Sequence, residues 1–96
     1  QYDAKKITPL NIELVIQNNG KSIDYVEINY NIPEVFRQVN PCSKKILPLP
    51  YGKIIDVCTI EAQDYAEVGK DYIVVVQLNA PNVALVQTNT TIKVIS

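Results

Sequence analysis

Residues 69–78, Gly-Lys-Asp-Tyr-Ile-Val-Val-Val-Gln-Leu, leave the chain little conformational choice. In an extended segment Tyr72, Val74, Val76 and Leu78 fall on one side, and Ile73 and Val75 on the other. Apolar side chains on both faces predict a central strand covered from both sides. A helix is disfavoured, because β-branching restricts χ1 against the preceding turn. Thirteen Ile, twelve Val and six Tyr against five Ala and no Met extend that preference to the whole chain. An all-β class follows.

Ninety-six residues suffice for one domain, residues 1–96, with a single core and little margin. Leu10, Ile12, Leu14 and Ile16 alternate with Asn11, Glu13, Val15 and Gln17, the cleanest half-buried strand in the sequence. Asn18-Asn19-Gly20 signals a turn. Val26, Ile28, Tyr30 and Ile32 share a face of the next strand, so Leu10–Tyr30 reads as a β-hairpin that Pro33 ends. Residues 34–45 read as a packed loop or short crossing strand, anchored by Val35, Phe36 and Val39. Residues 46–50, Ile-Leu-Pro-Leu-Pro, read as an edge strand crossing between sheets. Residues 53–60 form another strand, with Ile55, Val57 and Thr59 on one face and Ile54, Asp56, Cys58 and Ile60 on the other. Asp56 is then either a paired, half-buried carboxylate or part of an exposed face. A last strand or two falls in residues 83–95. About seven short strands separated by turn signals predict a sandwich or barrel.

Cys42 and Cys58 are the only sulfur atoms. A disulfide between them is expected, since a small β domain profits from a staple of about 3 kcal/mol over such a loop. The alternative is a pair of buried thiols in a cytosolic domain. No run of apolar residues is long enough to span a membrane, so a mature or excised ectodomain is expected, its anchor lying in a segment outside this sequence.

General acid–base and nucleophilic mechanisms lean on His, and the chain has none. Ser22, Ser43 and Ser96 lack a partner base, and Gly20, Gly52 and Gly69 are too isolated for a phosphate loop. Neither an enzyme nor a cofactor or metal site is expected. A net charge of −1 with interspersed signs argues against nucleic acid as a partner. Asn89-Thr90-Thr91 is a glycosylation sequon if the domain is extracellular. Val15, Tyr25 and Tyr51 are solvent-directed apolar or aromatic side chains and hence candidate interface residues.

The succession Asn-Ile-Glu-Leu-Val-Ile-Gln-Asn-Asn-Gly (11–20), Val-Glu-Ile-Asn-Tyr (26–30), Pro33, Leu-Pro-Tyr-Gly (49–52) and Val-Gly-Lys-Asp-Tyr-Ile-Val-Val (68–75) resembles a known family. It is similar to the immunoglobulin-like sandwich modules of prokaryotic, especially archaeal, surface proteins, among them S-layer stalk domains, archaeal pilin globular domains and the soluble domains of archaellum stators. The resemblance implies an immunoglobulin-like antiparallel sandwich at the cell surface. It also implies a non-catalytic role, holding other surface proteins or further copies through sheet edges or faces. Gly69 to Tyr72 resembles a tyrosine corner, with a plain buried aromatic as the alternative. The family of animal immunoglobulins pins its sheets with Cys, Trp and Cys; here Trp is absent and Cys42 sits in a loop, so a disulfide joining the two sheets is not expected. A carbohydrate- or lipid-binding accessory module of a secreted enzyme is the other functional expectation, although no Trp is present to stack on a sugar.

Overall fold

The computed structural model describes all of residues 1–96 and contains eight strands and no helix. They are β1 (Tyr2–Lys5), β2 (Pro9–Asn18), β3 (Val26–Asn31), β4 (Phe36–Gln38), β5 (Lys44–Ile46), β6 (Gly52–Ala62), β7 (Asp71–Asn79) and β8 (Val86–Ile95). One sheet has five strands in the order β1-β8-β7-β3-β5, and the other has three in the order β2-β6-β4. The all-β sandwich anticipated from the sequence is present, with eight strands instead of about seven. One ladder departs from an antiparallel plan: β1 runs parallel to β8, with Tyr2 opposite Ile92 and Lys5 opposite Ile95.

Period-2 geometry builds the core from one row of each strand. Ile12 and Ile16 of β2, Val26 and Ile28 of β3, Cys58 and Ile60 of β6, Val74 and Val76 of β7, and Ile92 and Val94 of β8 are all buried. Ile28, Ile60, Ile92, Val74 and Val94 are among those fully enclosed. The central strand β7 is flanked by β8 and β3, as its composition predicts. Its second face is not covered, however: Ile73 is 58% exposed and Val75 only half-buried. Only one layer packs against the five-stranded sheet, so the outer row of β7 stays in solvent.

The predicted Leu10–Tyr30 hairpin does not form. β2 pairs with β6 along its whole length, whereas β3 pairs with β5 and β7 in the opposite sheet. Residues 19–25 are too many for a tight turn, and Asn18 directs them elsewhere. Its buried side chain donates to the carbonyls of Lys21 (3.0 Å) and Pro50 (3.1 Å) and accepts from the Gly20 N–H (3.1 Å). The chain then crosses the end of the sandwich, where Ile23 and Leu49 exchange two backbone hydrogen bonds. The apolar rows of β2 and β3 therefore face one another instead of lying side by side.

Gly69 adopts φ +87°, a region that other residues enter only with strain. That turn lets Gly69 N–H donate to the Val94 carbonyl (2.7 Å) while Val94 N–H donates to Lys70 (3.1 Å), zipping residues 69–70 onto β8. Ile7, between β1 and β2, also has positive φ (57°), which is costly for a β-branched residue. It is held there by an N–H bond to the Ala62 carbonyl (2.8 Å).

Cys42 and Cys58 are buried and disulfide-bonded, with Cα atoms 5.3 Å apart. Cys42 lies where the chain passes from β4 in one sheet to β5 in the other, so the bond ties that crossing to β6.

Two outcomes follow for stability. Removing the disulfide by Cys42→Ala with Cys58→Ala is expected to lower unfolding free energy by about 3 kcal/mol, read from denaturant midpoints. Replacing exposed Ile7 by Gly relieves a left-handed β-branched residue and is expected to raise stability by about 1 kcal/mol; an unchanged or lower midpoint would contradict the strain.

Candidate functional site

β1 pairs with β8 only over Ile92–Ile95, and β7 pairs with it from Val86 to Lys93, so only Ile92 and Lys93 have a strand on both sides. From Val86 to Thr91 it has β7 on one side and no strand on the other. β2 is likewise an edge, paired with β6 alone. These two free edges face each other across the open side of the sandwich. At one end Tyr2 closes the gap: its hydroxyl accepts from the Glu13 N–H on β2 at 3.1 Å. Beyond Tyr2 the sheets part and leave a cleft of about 620 Å³.

The local sequence accounts for the opening. Inward positions of β8 change from Ile92 and Val94, fully buried, to Thr90, Thr88 and Val86, which are partly or largely exposed. Threonine is too short to reach the opposite layer. Ile12 and Leu14 form the β2 wall, Val76 and Leu78 the β7 wall, and Tyr30 of β3 lies at the floor. A smaller hollow of about 300 Å³ shares Leu78 and Val86 with the cleft and continues toward Leu49 and Ala80. Glu13 is the only charged side chain in the larger lining.

Under the cleft floor sits a network of three polar side chains around the buried Asp56. Tyr30 Oη donates to Asp56 Oδ2 at 2.6 Å, and Lys44 Nζ reaches Asp56 Oδ1 at 2.7 Å. Asp56 is 8% exposed, so of the two sequence readings the paired, buried carboxylate holds. Tyr30 and Lys44 belong to the five-stranded sheet and Asp56 to the other, so the trio is a strut between layers. Burial, and then the hydrogen bond to Asp56 and its negative charge, push the Tyr30 phenol far above its ordinary ionisation range. Each carboxylate oxygen is already engaged, and every buried side-chain polar atom has a partner. The trio therefore offers position and rigidity to the floor. No three carboxylate or thiol side chains converge to form a cage for a metal.

The residues singled out from the sequence are scattered. Val15 is exposed on the outer face of β2, directly opposite Ile55 of β6, with exposed Val57 one pair along. That small apolar patch was visible as the odd-numbered rows of two strands, but their adjacency was not. Tyr51 is exposed at a loop, and Tyr25 is half-buried under Lys45, whose Nζ stands 4.2 Å from the ring centre. Val15, Tyr25 and Tyr51 do not share one surface: Val15 is on the three-stranded sheet, and Tyr25 is beside β3 in the other. Asn89 is exposed on the outer row of β8, at the cleft rim. Tyr72 packs against Phe36 in an edge-to-face pair, with ring centres 5.4 Å apart, and Lys70 Nζ stands 5.2 Å from its ring centre. This is the packed aromatic, not a hydroxyl anchored to upstream backbone. The cleft itself was missed; the switch from Ile and Val to Thr along one row of β8 is the signal that marks it.

No protein-family model matches the chain, and no curated protein matches it in sequence.

Lys44→Met removes the countercharge of a buried carboxylate and is expected to cost about 2 kcal/mol, less than for a fully enclosed pair because Lys44 is a third exposed. Tyr30 fixes a pH dependence. Its folded ionisation lies above the unfolded value near 10, so its stabilising contribution is complete below about pH 10 and declines above it, as the unfolded chain loses the proton first. Tyr30→Phe should flatten that alkaline decline in denaturation midpoints measured against pH; an identical slope in the variant would refute the assignment.

Proposed function

We propose that this domain is a non-catalytic structural and interaction module of an extracellular, surface-anchored assembly of the archaellum, pilus or S-layer kind. It engages other surface proteins or further copies through its sheet edges. The observation that carries this reading is an unprotected strand edge, Val86–Thr91 of β8, beside an open apolar cleft. Soluble proteins ordinarily shield such edges with charge, proline or a covering element. Residues 86–91, Val-Gln-Thr-Asn-Thr-Thr, contain none of these. A disulfide in a domain this small is compatible with an extracellular location. The likeness of residues 11–75 to immunoglobulin-like surface modules supports the same compartment, as does an exposed sequon at Asn89.

A second reading, an accessory module that binds a lipid for a secreted enzyme, draws on the cleft's size and apolar lining. It has no use for the free β8 edge.

Labelling intact cells with a membrane-impermeant amine reagent, followed by cross-linking, tests the proposal. The domain is expected to be labelled and to be recovered joined to a second polypeptide. Finding it only inside cells, with Cys42 and Cys58 open to alkylation without reductant, would overturn it.

A further inference from the structure

We propose that the side chains of Lys44 and Asp56 condense into an amide bond with loss of one water, a covalent modification that joins the two sheets. The ion pair described above is the state from which this bond forms. Neither compartment nor partner enters into it, so it stands or falls separately from the cell-surface reading.

Three features of the strut favour the bond. The first is reach. Lys44 Nζ is 2.7 Å from Asp56 Oδ1, and Cγ lies one C–O bond further, so the nitrogen is within about 4 Å of that carbon. Reacting atoms in a near-attack arrangement stand about 3–3.5 Å apart, which a small turn of the flexible Lys44 chain supplies. The second is polarisation. Tyr30 Oη donates to the other oxygen, Oδ2, at 2.6 Å, and burial holds its phenol in the protonated form. A fixed donor there stabilises the negative charge that gathers on Oδ2 during attack. The third is alignment. Lys44 is held opposite Ile28 on β3, and Asp56 opposite Leu14 on β2. The disulfide ties the same two segments beside them, with Cys42 preceding Lys44 and Cys58 following Asp56.

The step balances without a further reactant. A proton passes from the Lys44 ammonium to Oδ1, leaving a free amine and a carboxylic acid. The Nζ lone pair attacks Cγ, Nζ gives a second proton to Oδ1, and the Cγ–Oδ1 bond breaks to release water. An Nζ–Cγ amide remains, with Oδ2 as its carbonyl oxygen still accepting from Tyr30. In water the separated ions are the more stable side of this reaction. Here Asp56 is 8% exposed, and forming the amide removes two charges whose burial is costly. Lys44 is a third exposed, which gives the released water a way out.

The test weighs the reduced, alkylated wild-type domain in denaturant. Its mass is expected to fall one water short of the sequence. Trypsin should leave Lys44 uncut and release a single species joining residues 38–45 to residues 54–70. Lys44→Arg keeps a positive charge beside Asp56, but its guanidinium stays protonated and cannot attack, so this variant should have full mass. After cell-free synthesis, Tyr30→Phe should accumulate linked protein about a hundred-fold more slowly. Folding of each variant is read from its resistance to alkylation before reduction, and Lys44→Arg decides the matter if Tyr30→Phe does not fold. A folded wild type at full mass would overturn the proposal, as would water lost within one peptide, the mark of a cyclised Asp. So would a Lys44→Arg protein equally light, or an unchanged rate in folded Tyr30→Phe.

Discussion

Three strands cannot cover five, and most of what is distinctive in this structure follows from that mismatch. The two layers press their apolar rows together over the region where β2, β6 and β4 exist to do so. At the β5 side, Leu49 and the disulfide-held crossing near Cys42 fill the gap. At the opposite side the short β1 and its Tyr2 bridge the layers, and beyond Tyr2 the core is open. Burial of Ile and Val gives this domain its cohesion; unequal sheet widths decide where that burial stops.

The polar strut gains its meaning in this setting. A sandwich open along one side has fewer apolar contacts to hold its layers in register. Tyr30, Asp56 and Lys44 join them by directional bonds, and a buried pair of this sort is worth more in fixing geometry than in net stability. Its position beneath the cleft keeps the floor rigid while the rim stays open. Asn18 does comparable work at the sandwich end, where one amide gathers three backbone groups from two segments. Covalent, ionic and amide ties thus join segments of the two layers and of the sandwich end that lie far apart along the chain.

Alternation along single strands was legible from the residues. Leu10 to Ile16 and Val26 to Tyr30 turn inward as their pattern requires, and Asp56 shares the buried row with Cys58 and Ile60. The neighbours of each strand were not legible. Asn18-Asn19-Gly20 has the chemistry of a hairpin turn, yet the buried Asn18 amide sends the chain across to the other sheet. Ile73 has the composition of a covered residue and lies in solvent, because no layer exists on that side. Val15, Tyr25 and Tyr51 are interface candidates by their local pattern alone, and a local pattern says nothing about which other strand supplies the rest of a surface.

The sequence by itself determined that this chain is built of strands, which row of most strands is buried, and that its only two cysteines are placed for one short covalent loop. These are local matters: side-chain branching, a period of two, and separation along the chain act within a few residues of one another. The tertiary structure alone decided that β1 runs parallel to β8, that β2 and β3 oppose each other, and that an edge and a cleft remain unfilled. Those depend on pairings between residues as far apart as Tyr2 and Ile92, where the energy of each choice is set by every other strand already in place.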